Sequence, residues 1–383
     1  MKRKIASLFV LILSLSIFQV TKSQAPIDSE LCQAVDYALN FEYAKALTLL
    51  DQLRDENPDD IRPYLFKAVV YIQLLVNCRN VEKNKVLFFE NIDKAEETAK
   101  KLAKKDKNDW YPKFFLGGVY GWKAKYYLDA GSKWKTFINA RKAKGYFEKT
   151  LKLNPDCLDA YYGLGVYHYY AGTLPKLLRF FLPILNFEGD VKRGIGELNL
   201  VKDKGKYSRD FAAYELTLIY LDKEEKREEG LRLVLKLCEK YPQNFNFQLL
   251  RAQYYHYLAE DSLARSTMDQ LKSKIQDKFY AELSDNKRAE CHLWSGLVNL
   301  SLNQNEKAQN DFETALNNCN SDALKSQSHF LIGLSLNEQE RYEKAYQHYL
   351  KSLEHKDHLG SHHKAKQEIK KLKKEELITK KRH

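Results

Sequence analysis

Helix breakers are scarce in this chain. It has 8 prolines and 16 glycines among 383 residues. With Ala, Leu, Glu, Lys and Tyr dominating instead, the chain is expected to be mostly helical. Chemistry-bearing motifs are missing as well. There is no P-loop, GxGxxG, HExxH or GxSxG, so no nucleotide cradle, zinc-protease helix or nucleophile elbow is indicated. The six cysteines (Cys32, Cys78, Cys157, Cys238, Cys291, Cys319) are too dispersed for a zinc site, which favours close pairs. Most read as buried thiols. His358 and His362 are four residues apart, but two histidines without a carboxylate or thiolate partner make a poor metal site. No metal, no cofactor and no catalytic set is predicted, and the chain does not read as an enzyme.

Long apolar runs are also lacking, with one exception at the N-terminus. Lys2, Arg3 and Lys4 precede an apolar run over residues 5–20, the layout of a secretory signal. Cleavage after Ser23 leaves Gln24 first, whereas cleavage after Ala25 would place Pro26 next, which peptidases tolerate poorly. The expected division is therefore a signal over 1–23, a solenoid over 24–357 and a basic capping tail over 358–383. The mature chain is expected to be exported, and periplasmic or envelope-associated if bacterial. Export permits disulfides.

Of the formal charge of +12, the first 23 residues contribute +4 and residues 351–383 contribute +6. The body is near neutral, and the tail reads as the basic element. Export argues against a nucleic-acid partner, and Glu368, Glu375 and Glu376 dilute the tail's charge.

A chain of this length exceeds the usual single core, so it holds two domains or one repeat array. Internal repeats decide for the array. A small residue and an aromatic in one helix are followed by a small crossing residue in the next. They recur as Ala34, Tyr37, Ala46; Ala68, Tyr71, Ala95; Gly117, Tyr120, Ala143; and Gly165, His168, Gly194. The series continues with Leu216, Tyr220, Gly230; Ala252, Tyr255, Ala264; Gly296, Ala308; and Gly333, Ala345. Pro58, Pro155 and Pro242 end second helices, where the missing N–H stops the ladder. This is the signature of the tetratricopeptide repeat of about 34 residues. The predicted fold is all-α, a TPR-type helix-pair solenoid of about eight units.

In most units the aromatic position lies nine or ten residues before the crossing residue. In units two to four the gap is 24, 23 and 26. Those three should stand about two helical turns taller or carry an insertion. In the fourth, Leu174-Pro175 breaks the first helix, and an apolar stretch follows over residues 177–187, including Leu177, Phe180, Phe181 and Phe187. Left in water it would be a large apolar patch. Fold-back onto Tyr162 and Tyr169 is one arrangement, and a membrane or partner contact is the other.

The central segment carries Tyr162-Gly163, Leu174-Pro175, Phe187-Glu188-Gly189-Asp190, Gly194 and Leu198. It resembles the tetratricopeptide-repeat protein 39 family, related to a yeast inclusion-body-clearance protein. The resemblance implies an α-helical scaffold with a role at a lipid or organelle surface.

First helices of such repeats line a concave groove. The positions here include Leu65, Val69, Phe114, Tyr162, Val166, Tyr169, Tyr214 and Leu218. They are aromatic and apolar, and they lack the Lys and Asn that hold a chaperone's terminal carboxylate. The expected function is an exported scaffold or adaptor that binds a protein or peptide partner through this groove. The alternative is a peripheral lipid-binding or lipid-transfer module using the groove and the 177–187 segment. Two further local expectations arise. Antiparallel packing in the seventh unit permits a Cys291–Cys319 disulfide, worth about 3 kcal/mol if its geometry is met. Asn299 matches a glycosylation sequon but occupies a packed position of its unit.

Overall fold

The computed structural model describes residues 25–174, 189–356 and 360–378. The N-terminal signal and the 177–187 stretch with Leu177, Phe180, Phe181 and Phe187 lie outside the described residues. Seventeen α-helices account for almost all of the described chain. Sixteen form eight consecutive pairs: α1 (Ala25–Leu39) with α2 (Tyr43–Glu56), α3 (Ile61–Asn77) with α4 (Val81–Lys105), α5 (Tyr111–Asp129) with α6 (Lys133–Leu153), and α7 (Ala160–Thr173) with α8 (Val191–Lys204). The series continues with α9 (Arg209–Leu221) and α10 (Arg227–Lys240), α11 (Phe245–Tyr257) and α12 (Asp261–Gln276), α13 (Asp285–Ser301) and α14 (Asn305–Asn318), and α15 (Asp322–Glu338) and α16 (Tyr342–Glu354). A last helix, α17 (Ser361–Lys374), stands alone. The fold is the all-α helix-pair solenoid read from the repeats.

Local chemistry sets the ends of these helices. Asp190, Asn244 and Ser284 each accept the backbone N–H three residues on and so start α8, α11 and α13, satisfying donors the helix leaves open. First helices of four pairs stop at a left-handed residue: Phe41, Ala259, Asn303 and Glu340. In the third pair Gly131 takes that role at φ 72°, where glycine carries no Cβ penalty.

The crossing positions work as the repeat predicts. A Cβ on Gly194 would fall 2.6 Å from the Tyr169 backbone N and 2.7 Å from the Gly165 carbonyl O. Only hydrogen at both glycines lets α7 and α8 pack this closely. Aromatics fill the neighbouring crossings: Phe147, Phe312 and Tyr349 are buried.

The tall units are the second and third. Helices α4, α5 and α6 have 25, 19 and 21 residues, against 14 in both α7 and α8. In the fourth unit the extra residues therefore lie between the two helices.

The chain divides into two compact units. One takes the chain up to Ile72 together with Asn84–Ala212; the other takes Gln73–Lys83 and the chain from Ala213. Within the second, the turn between α3 and α4 is tied to the segment before α13. Cys78 bridges Leu283, the Arg79 N–H donates to the Glu282 carbonyl at 2.9 Å, and the Ser284 N–H donates to the Asn77 carbonyl at 2.9 Å. At its C-terminal end, Ala365 and Leu372 of α17 are buried in a cluster with Phe330, Ile332 and Tyr349, and Ile369, Leu377 and Ile378 pack against it.

All six cysteines are free thiols, so the Cys291–Cys319 disulfide is not formed. Cys291 is fully buried inside the seventh pair. The Cys319 S–H donates to the Leu316 carbonyl at 3.6 Å, within its own helix end.

Candidate functional site

The six predicted groove residues fall in both units. Phe114, Tyr162, Val166 and Tyr169 lie on α5 and α7 in the first, and Tyr214 and Leu218 lie on α9 in the second. All six are half-buried, whereas Leu65 and Val69 on α3 are buried. Phe114 packs on Phe115 and Phe147, with ring centroids 5.0 and 6.2 Å apart. Tyr162 meets Phe211 at 6.2 Å. Tyr214 meets Phe247 at 5.1 Å, and desolvation pushes its hydroxyl pKa up.

The first unit is closed on itself across several repeats, which the sequence reading missed. Phe66 on α3 contacts Tyr207 at 5.5 Å, and Trp122 on α5 contacts Phe211 at 5.9 Å. A charged cluster sits where first helices begin. The buried Arg62 guanidinium donates to Asp28 at 2.7 Å and to Asp60 at 2.9 Å. Tyr207 and Lys206 also donate to Asp28, and Tyr111 donates to Asp60 at 3.4 Å. Burial alone would raise the Asp28 pKa, but the hydrogen bonds from Lys206 and Tyr207 outweigh it and hold the carboxyl below its ordinary value. Asp159 completes the arrangement: its carboxylate accepts the backbone N–H groups of Lys206, Tyr207 and Ser208 at 2.7–3.0 Å and so ties down the segment that leads into α9. Asp and Arg at helix starts were visible in sequence, but nothing there paired Asp28 with Tyr207, 179 residues away.

A second charged centre lies in the second unit. The buried Asp311 accepts from Lys272 (2.9 Å), His292 (2.9 Å), Ser295 (2.7 Å) and Asn299 (2.9 Å). Burial works against the carboxylate, yet His292 and Lys272 prevail and its pKa is lowered. Asn299 is 6% exposed with its amide committed to Asp311, so it is a structural residue. Beside this centre lies a shallow polar recess of about 260 Å³ lined by Arg265, Asp269, Lys272 and Glu306. Among the described residues, no group of three or more His, Cys, Asp or Glu is placed to hold a metal ion. Nor is any described helix long and apolar enough to cross a membrane.

The tail is not the only basic element. Between residues 123 and 145 the chain has seven Lys or Arg and one Asp. This block sits at the α5–α6 turn, and averaging over the near-neutral body had hidden it.

The comparisons agree with this architecture. A family model described as a tetratricopeptide repeat matches residues 139–176. It is the general repeat and not the tetratricopeptide-repeat protein 39 family. No curated protein matches the chain. Among solved structures, the APC/C hetero-tetramer Cut9–Hcn1 is similar over 92% of this chain, at 13% identity and a TM-score of 0.55. This chain spans 56% of that one's length. Yeast Tom70 is similar over 89% of this chain and 88% of its own, at 12% identity and a TM-score of 0.43. Pseudomonas aeruginosa pilF is similar over 68% and 97%, at 13% identity and a TM-score of 0.43. At such an identity the first of these speaks for the fold alone, and the fold is the helix-pair solenoid described above.

Proposed function

We propose that the protein is an exported scaffold or adaptor that holds a protein or peptide partner on the first-helix face of its repeats. The observation that carries this reading is the half-buried aromatic lining of α7, where Tyr162, Val166 and Tyr169 keep part of their surface in water. Rings of this kind bring large contact area at low entropic cost and are enriched where proteins meet. The export part rests on the charged start and the apolar run over residues 5–20.

A photo-crosslinking residue at Val166 or Tyr169 should give one discrete protein adduct in the cell of origin. The same residue at Lys192, exposed on α8, should not. Equal adducts at both places, or none at Val166 and Tyr169, would sink the groove reading. Intact mass of the native protein should place its N-terminus at Gln24, and a chain retaining residues 1–23 would overturn export.

A further inference from the structure

The two tall pairs of the first unit end in a rim that their packing does not require. At the α5–α6 turn, Leu128 is 59% and Trp134 67% exposed; Val86 on α4 is 65% and Tyr170 on α7 is 47% exposed. Two groups of aromatic rings lie at this end of the unit. Phe89 meets Tyr126 at 4.8 Å and Tyr127 at 6.4 Å, and Trp134 stacks on Phe137 at 5.7 Å. Phe137 in turn packs with Leu174 against the buried Tyr167 and Ala171.

Basic residues outnumber acids along the α5–α6 turn, with seven Lys or Arg and one Asp between residues 123 and 145. Lys123 is taken up by Asp93 and Glu96 at 2.6 and 2.5 Å, and Lys125 by Asp129 at 2.7 Å. Lys133, Lys135, Arg141 and Lys142 are exposed instead. The Lys135 ammonium rides over the Tyr127 ring at 5.0 Å, so its apolar stem runs along that ring, and the Lys142 ammonium lies over Tyr120 at 4.9 Å.

We propose that this end of the first unit docks on the surface of an anionic lipid bilayer, with Trp134, Leu128 and Val86 at headgroup depth and Lys133, Lys135, Arg141 and Lys142 against lipid phosphates. Trp and Tyr favour the membrane–water boundary because one end of each ring system is apolar and the other wet. Clustered Lys and Arg are drawn to anionic headgroups. Lysine is depleted from protein–protein interfaces, so a tryptophan set between two exposed lysines fits a lipid surface better than a protein one.

The test is sedimentation of the mature full-length chain with vesicles. Phosphatidylcholine vesicles carrying about a third phosphatidylglycerol should bind it, and those of phosphatidylcholine alone should bind far less. Salt at about 0.5 M should release it. The triple variant K133E, K135E and K142E changes only exposed residues and should keep the wild-type melting midpoint while losing about tenfold or more in partitioning. Tryptophan emission should shift to the blue on binding, and that shift should be lost in Trp134→Phe. Failure of the wild type to bind anionic vesicles overturns the proposal. So does a folded triple variant that partitions like wild type, or a blue shift that survives in Trp134→Phe. Crosslinking at Val166 reads the groove separately, so either idea can fail alone.

Discussion

Nδ1 of His329 on α15 lies 3.2 Å from Nδ1 of His348 on α16, and the ring of His355 stacks on His329 at 5.7 Å and 12°. Two such nitrogens share one hydrogen comfortably and two poorly. Burial, then repulsion from His348 and His355, holds His329 down at about 4, and burial also lowers His348. Lys351 adds to the repulsion, while Glu313 and Asp322 are the nearby acids. Above the ordinary histidine value of 6.5 both folded and unfolded chains are neutral here. Between 6.5 and about 4 the unfolded chain binds protons that the fold refuses, so stability falls as pH falls, and the loss levels off below about 4. Urea midpoints should drop as pH falls across that window and then level off. His329→Gln should flatten the curve, and an unchanged pH dependence would remove the histidines from the account.

Arg62 is the cation on which the first unit's cluster turns. Replacing it by Met leaves Asp28 and Asp60 without a guanidinium and should cost about 3–5 kcal/mol. Adding Asp60→Asn to Arg62→Met should recover part of the loss, because Asp60 is the carboxylate left without its cation, whereas Asp28 keeps Lys206. Circular-dichroism melts of the single and double variants check this, and additive losses would contradict the coupling.

Asp311 is held by four donors from α12 and α13. Asp311→Ala strands Lys272, Ser295 and Asn299 and should destabilise the chain by about 2–4 kcal/mol. Asp311→Asn keeps an acceptor oxygen and should cost less. Denaturant midpoints rank the two, and equal losses would show that charge and not hydrogen bonding carries the centre.

Two glycines of α8 should respond in opposite directions to alanine. At Gly194 the added methyl meets the backbone of α7, and a loss of about 2–4 kcal/mol is expected. At Gly196 nothing lies within 4 Å, and alanine should stabilise the exposed helix by about 0.5–1 kcal/mol. Thermal midpoints that move the same way in both would refute the close α7–α8 crossing.

The cysteines should behave as thiols. Burial pushes Cys291 up to about 12 and Cys78 and Cys238 up to about 11, so little thiolate forms near neutrality. Ellman's reagent should label the native protein slowly and the denatured protein at all six positions. Reductant should leave the melting midpoint where it is.

The pair-by-pair architecture was legible in the sequence because its constraints are short-range. Gly194 must be small since Tyr169 and Gly165 sit against it, and the same rule repeats about every 34 residues. The extra turns of α4, α5 and α6 were legible for the same reason, as a longer gap between aromatic and crossing residue. What the sequence could not express is which residues of non-adjacent pairs meet. Asp28 finds Tyr207, and Asn77 finds Ser284, across long stretches of chain. Such contacts depend on many side-chain fits together, not on any local motif. Exposure is decided in the same way. Trp134 reads like any other aromatic in the chain, yet it stands in water at the end of the longest helices. Its neighbour Phe137 packs against Tyr167 and Ala171.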